Sequence, residues 1–299
     1  MDMQFGLSPM ESSDDAPLNG VMSTDTILVL GATGKTGKRV AARLRLRGVP
    51  VRAASRSSET PFDWSAPEGW DAALDGIAAV YIVPPAVPGP VHAFVARAEA
   101  AGVQRLVLLS GRGADTWGDS TFGLDMRDAE SAVRASALEW TVLRSNNFAQ
   151  NFDEELWHAP LVAGELALPA GDVGEPLIDI EDVADVAAAV LTEPGRHAGR
   201  IYELTGPRAL TFAEAVELIA RASGMPITYK QISAAEYTEL LVDDGVPQDA
   251  AHHVAEMFVM MERGLLADPT DGVATVLGRA PRAFEDYALR TAVTGTWHR

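Results

Sequence analysis

Five short apolar runs divide the first half of the chain, at 27–31, 49–54, 78–83, 105–110 and 140–144. Between them, at about 36–47, 70–75, 89–101 and 121–137, apolar residues recur at helical spacing. Val80-Tyr81-Ile82-Val83 and Leu106-Val107-Leu108-Leu109 are apolar without alternation, as strands covered on both faces are. Strand and helix alternating in this way predict an α/β fold. The sheet is doubly wound and parallel, because parallel neighbours need a crossover connection. Ligands of such sheets lie beyond the carboxyl ends of the strands, so the residues after each run are the candidates for function.

Beyond about 150 the pattern changes. A Gly/Pro-rich region at 160–176 precedes a helix at 181–192 and a strand at 200–205, and the remainder is mostly helical. Thr211-Phe212-Ala213-Glu214 is a capping box and Gly224 before Pro226 a helix stop. Residues 1–24 show no hydrophobic period and read as a tail. The expected organisation is a nucleotide-binding domain at 25–155, completed by 176–205, and a smaller helix-rich, substrate-binding lobe at 156–299.

Composition narrows the setting. The 299 residues include no cysteine, which excludes disulfides, thiolate metal sites and a Cys nucleophile. No apolar run reaches membrane-spanning length and no signal peptide is evident, so a cytoplasmic protein with no membrane partner is expected. A net charge of −18 argues against a nucleic-acid partner. No metal is expected: Asp243-Asp244-Gly245 and Asp268-Pro269-Thr270-Asp271-Gly272 lack the spacing of a calcium loop.

Against that acidity, Thr26 to Ser58 contains no acid and holds Lys35, Lys38, Arg39, Arg43, Arg45, Arg47, Arg52 and Arg56. At its head stands Gly31-Ala32-Thr33-Gly34-Lys35-Thr36-Gly37, directly after a strand and opening a helix. Glycine allows a tight turn and close backbone approach, and the free N–H groups of the next helix attract an anion. A Walker A loop needs glycine at position 29, which is Val29. A dinucleotide pyrophosphate is the better account, with a ligand-free turn as the plain alternative. The second strand ends in Ala53-Ala54-Ser55-Arg56-Ser57 with no carboxylate, so NADP(H) is favoured over NAD through Arg56. Arg39, Arg43 and Arg47, spaced by four, read as a solvated helix face.

These features resemble the NmrA-like, atypical short-chain dehydrogenase/reductase family over nearly all of 26–290. The resemblance rests on the glycine loop, Ala54-Ser55-Arg56, Leu143-Arg144-Ser145-Asn146-Asn147-Phe148, Ile178-Asp179-Ile180-Glu181-Asp182-Val183-Ala184, and Gly278-Arg279-Ala280-Pro281-Arg282-Ala283-Phe284. Phe62-Asp63-Trp64 and the Pro84-Pro85 pair look most like the natural-product, ergot-alkaloid-type and quinone reductase branches. The resemblance implies a Rossmann domain. It assigns Gly31, Thr33, Gly34, Lys35, Thr36 and Gly37 to the pyrophosphate loop, Arg56 to the 2′-phosphate and Asp63 to the adenine end. Pro84 and Pro85 lie toward the nicotinamide ribose, Ser110 at the reaction centre, and Asn147 and Phe148 in the pocket.

The standard catalytic pair of that superfamily is missing. None of Tyr81, Tyr202, Tyr229, Tyr237 and Tyr287 has a Lys four residues later, so the usual phenolic acid is not available. Hydride addition to an iminium ion, quinone or activated alkene needs little acid help, and positioning supplies much of the rate. Ser110, Asp115, Asn147 and His158 are the polar candidates, with Trp117 in the substrate pocket. A serine ending a strand also serves as a turn former, and His158, between Trp157 and Pro160, suits packing. The resulting expectation is an NADPH-dependent reductase of a small electrophile, acting as a monomer or homodimer. An NADP-binding redox sensor and a nonredox cyclase or dehydratase are the alternatives.

Overall fold

The computed structural model describes residues 25–117 and 122–298; the expected tail at 1–24 and the start of the expected 121–137 helix lie outside them. The first part runs β1 (Thr26–Leu30), α1 (Lys35–Leu46), β2 (Val51–Ser55), β3 (Thr60–Pro61), α2 (Trp70–Leu74), β4 (Ile77–Ile82), α3 (Pro90–Ala100), β5 (Arg105–Gly111), α4 (Leu124–Arg134) and β6 (Glu139–Ser145). There follow α5 (His158–Ala163), β7 (Glu165–Leu168), α6 (Ile180–Thr192), β8 (Arg200–Leu204), α7 (Phe212–Ser223) and β9 (Thr228–Gln231). The chain closes with α8 (Ala234–Asp243), α9 (Gln248–Met261), α10 (Gly272–Leu277) and α11 (Phe284–Ala292).

Seven strands pair in the order β3-β2-β1-β4-β5-β6-β8, every pairing parallel. This is the expected doubly wound sheet. Strand periodicity builds the layers: Ile27 and Val29 meet Val40, Ala41 and Leu44 of α1 on one face. Leu28 and Leu30 meet Phe94 and Val95 of α3 on the other. The order reverses between β1 and β4, and β8 closes the far edge.

The first described segment of the expected lobe behaves differently from its composition. Pro160 falls within the first turn of α5, where its missing N–H costs nothing, and β7 pairs in parallel with β9 as a separate ribbon. The lobe core gathers Phe152, Trp157, Phe212, Phe258, Tyr287 and Trp297, and Trp297 Nε1 donates to the Phe152 carbonyl at 2.8 Å. The capping box at Thr211 and Glu214 and the left-handed Gly224 cap bound α7 as the sequence predicts. Within the expected lobe, α10 packs on α6 and β8 in the sheet layer instead, through Val273 and Val276.

One expectation is corrected. Arg39 and Arg43 do not belong to a solvated face, since both are half-buried in ion pairs, whereas Arg47 is exposed as expected. Arg39 pairs with Glu154 and Glu181, Arg43 with Glu181 and Asp185, and Arg47 donates to Thr192. The acids come from the segment after β6 and from α6, so α1 is tied along one side to residues more than a hundred positions away. Asp179 caps α6 by accepting from the Glu181 N–H at 3.0 Å, and Asp182, fully buried behind it, pairs with Arg279 and Arg282. Among the described residues no helix is long and apolar enough to cross a membrane.

Candidate active site

A cavity of about 500 Å³ opens beyond the carboxyl ends of β1, β4, β5 and β6. Its floor is the sheet edge: Gly31 after β1, Val83 and Pro84 after β4, Ser110 to Arg112 at the end of β5, and Ser145 to Phe148 after β6. Met257, Met260 and Met261 of α9, with Leu266, roof it from the lobe.

One end of the cavity meets the start of α1. Gly34 is its N-cap with no side-chain cap hydrogen bond, and its first turn carries no acid. Its N–H groups therefore face the cavity mouth as an unneutralised positive dipole end. Gly31 holds the turn at φ +66°, and a Cβ on Gly34 would stand 3.2 Å from the Gly31 carbonyl oxygen. A Cβ on Gly37 would stand 2.2 Å from that oxygen. Gly37 thus lets α1 press onto the loop and is buried beneath it, off the cavity wall, while Thr33 is exposed on the loop's crest. Backbone donors, an absent cap and glycines at the close approaches fit a dinucleotide pyrophosphate. Lys35 borders the cavity with its ammonium 2.6 Å from Asn151 Oδ1 and 3.0 Å from Glu155.

Arg56 and Asp63 stand outside the cavity lining. Arg56 is exposed at the end of β2, with no hydrogen bond or ion pair among the described residues, and the nearby charge is Asp63. Asp63 accepts from the Ser65 N–H and hydroxyl at 2.8 and 2.7 Å, which hold its pKa below the ordinary carboxylate value. Trp64 donates to the Val83 carbonyl at 3.2 Å, fastening this loop to the end of β4 beside Pro84. Pro85 follows Pro84 without lining the cavity.

Ser110 reaches the cavity, and its hydroxyl donates to Glu130 Oε1 at 2.7 Å. Arg144 grips the same carboxylate at 2.9 and 2.8 Å and also meets Asp115 at 2.7 Å. Both members of the Glu130–Arg144 pair have side chains only 5% exposed. Neither Glu130 nor Arg144 was a sequence candidate, since a charged residue in an apolar strand or helix carries no mark of its partner. Asn147 and Phe148 line the cavity from the β6 side.

His158 is the correction among the catalytic candidates. It does not line the cavity; its Nε2 lies 2.9 Å from the Thr296 carbonyl oxygen, so it ties α5 to the C-terminal turn.

The apolar end is built around Trp117. Its ring fills a space that side chains on Gly111, Gly113 and Gly123 would occupy: an added Cβ would come to 2.9, 2.6 and 2.0 Å of it. Phe122 packs edge-on at 4.8 Å between ring centroids, and Met126 completes this wall. With the α9 methionines the surface is aromatic and polarizable, suited to a flat apolar ligand.

A parallel sheet with its switch point between β1 and β4, a glycine turn feeding an uncapped helix and an adjoining apolar chamber define an oxidoreductase of the atypical short-chain dehydrogenase/reductase type. A family model described as NAD(P)H-binding matches residues 31–194, and the chain belongs to that family. Festuclavine synthase I of Penicillium roqueforti is 34% identical over 284 residues, which are 88% of this chain and 97% of that protein. The NAD(P)H azoreductase of Xenophilus azovorans is 30% identical over 279 residues, 88% and 96% of the two chains. Among solved structures, an NADPH-dependent quinone oxidoreductase from Escherichia coli superposes with a TM-score of 0.75 at 25% identity, covering 89% of this chain and 99% of that one.

Proposed function

We propose that this protein is an NADPH-dependent reductase that delivers hydride to a small planar electrophile of the iminium, quinone or enone type. The observation that carries the reading is the continuity of one cavity from the uncapped first turn of α1 to the Trp117 and methionine wall. A dinucleotide with its pyrophosphate at α1 would bring its far end toward Ser110 and Asn147. The cofactor supplies the hydride when bound; the chain supplies position and a dry, flat-walled chamber.

Several features support the finer points. Arg56, exposed and unpaired at the end of β2, favours the 2′-phosphate of NADPH over NADH. Ser110 already donates its hydroxyl hydrogen bond to Glu130, so it offers the cavity lone pairs instead of acid, which suits acceptors that are electrophilic before protonation. The relatives named for azo and quinone chemistry agree with such substrates, and those named for festuclavine favour a natural-product setting.

The test is anaerobic mixing of the protein and NADPH with a quinone, a cyclic iminium salt and a conjugated enone. Loss of reduced-nicotinamide absorbance with at least one of them is expected. Tight NADPH binding with inertness toward all three would replace this reading by that of an NADP-binding sensor.

A further inference from the structure

Glu175 belongs to no element of the sheet or lobe and was not a sequence candidate. It lies in the segment between β7 and α6, where its backbone is pinned to Leu210 by hydrogen bonds of 2.8 and 3.0 Å. The residue is 1% exposed. Its Oε2 accepts from Asn146 Nδ2 at 2.6 Å and lies 3.5 Å from Asn147 Nδ2, while Oε1 is buried without a partner. Both asparagines line the cavity; Glu175 stands behind them.

We propose that Glu175 is a positioning residue of the candidate active site, gripping the amide nitrogens of Asn146 and Asn147 from behind so that their carbonyl oxygens serve the cavity. An asparagine whose NH₂ is bound on one side presents its oxygen on the other, which fixes what it can recognise. The wall then offers acceptors to an N–H group or a positive centre of a bound molecule, in line with Ser110. This inference rests on the reductase reading for its consequence, but not for the grip itself.

The grip is sensitive to pH. Burial pushes the Glu175 carboxyl up to about 7, partly offset by the two amide donors and by the charge of Arg112. Arg112 is itself engaged, its Nε 3.0 Å from Glu203 and its Nη1 2.6 Å from the Leu266 carbonyl oxygen. From the other side Glu175 meets the Leu210 backbone, and beyond Asn147 stands the neutral Met261 sulfur at 3.5 Å. An ionised acceptor makes stronger hydrogen bonds than a neutral one, so the asparagines are held more tightly above neutrality.

The experiment follows the side-chain amide resonances of Asn146 and Asn147 in cofactor-free protein across pH, assigned with single-site variants, in wild type and Glu175→Gln. Titration with a midpoint of about 7 in wild type and none in Glu175→Gln is expected. Alongside it, kcat/KM for an active acceptor should rise about threefold or more between about pH 6 and pH 8 in wild type. Glu175→Gln should stay flat near the low-pH value, and Glu175→Ala should lose about tenfold further, mainly in KM. Amide resonances that do not titrate in wild type, or that titrate equally in Glu175→Gln, overturn the inference. If they titrate as expected and no acceptor consumes NADPH, the reductase reading fails and the grip on the asparagines stands.

Discussion

Ser110 and Glu130 share a hydrogen bond of 2.7 Å in which the serine is the donor, so the one hydroxyl at the end of β5 points its proton into the protein, away from the cavity. A group placed this way accepts from a ligand more readily than it protonates one. Replacing it by alanine should therefore lower kcat/KM by less than about tenfold, where loss of a proton donor costs about 10²–10⁴-fold. Steady-state kinetics at saturating NADPH decide between the two.

The carboxylate behind that serine has a larger structural task. Glu130 holds Arg144 through two bonds of 2.9 and 2.8 Å, and its hydrogen bonds push the Arg144 pKa up, keeping the guanidinium charged. Removing Glu130 leaves the buried guanidinium with only the exposed Asp115 as a close counter-charge. Glu130→Ala should lose about 3–5 kcal/mol in denaturant unfolding, far more than Ser110→Ala.

Cofactor choice is expected to rest on Arg56. Arg56→Glu should raise the NADPH dissociation constant by about a hundredfold, the worth of one charge-assisted pair turned repulsive, and leave NADH within about threefold. Calorimetry with both nucleotides measures this. Equal losses for the two would place the 2′-phosphate elsewhere.

Gly123 combines φ +73° with a would-be Cβ 2.0 Å from the Trp117 ring. Alanine there must displace the indole as well as strain the backbone. Gly123→Ala should cost about 1–3 kcal/mol of stability and weaken binding of bulky flat acceptors, while NADPH affinity, set at the other end of the cavity, is unchanged.

Glu175 should leave a mark on stability too. Its pKa is raised from 4.5 to about 7 in the folded chain, so the folded state binds more protons than the unfolded one across that interval. Stability conferred by the neutral acid is present at low pH and is lost as pH climbs from about 4.5 to about 7. Glu175→Gln cannot ionise, so it should match wild type near pH 4.5 and exceed it by about 2–3 kcal/mol at pH 8, read by thermal or denaturant unfolding.

The sheet was legible because each strand buried on both faces must be apolar without a break, and each crossover helix must show one apolar face. Those demands are local. They mark 78–83 and 105–110 as strands whatever surrounds them, and observed strand ends fall within two residues of the expected ones. The short β3 and the β7–β9 ribbon were not legible, since strands of two and four residues carry too little pattern to separate from loop. The glycine loop was also readable, because a tight turn before a helix restricts residue type at fixed spacing.

What only the tertiary structure decided is where charges and hydroxyls end up. The sequence shows Arg39 and Arg43 at helical spacing, but their acids lie in segments 115 to 142 positions away, and only the fold brings Glu154, Glu181 and Asp185 to them. The same holds for the proton of Ser110, the grip of Glu175 on Asn146 and the seat of Trp117 among three glycines. Hydrophobic periodicity is a property of neighbours along the chain and survives in one dimension. A hydrogen bond or an ion pair depends on distances of a few ångströms between remote segments, and those exist only once the chain has packed.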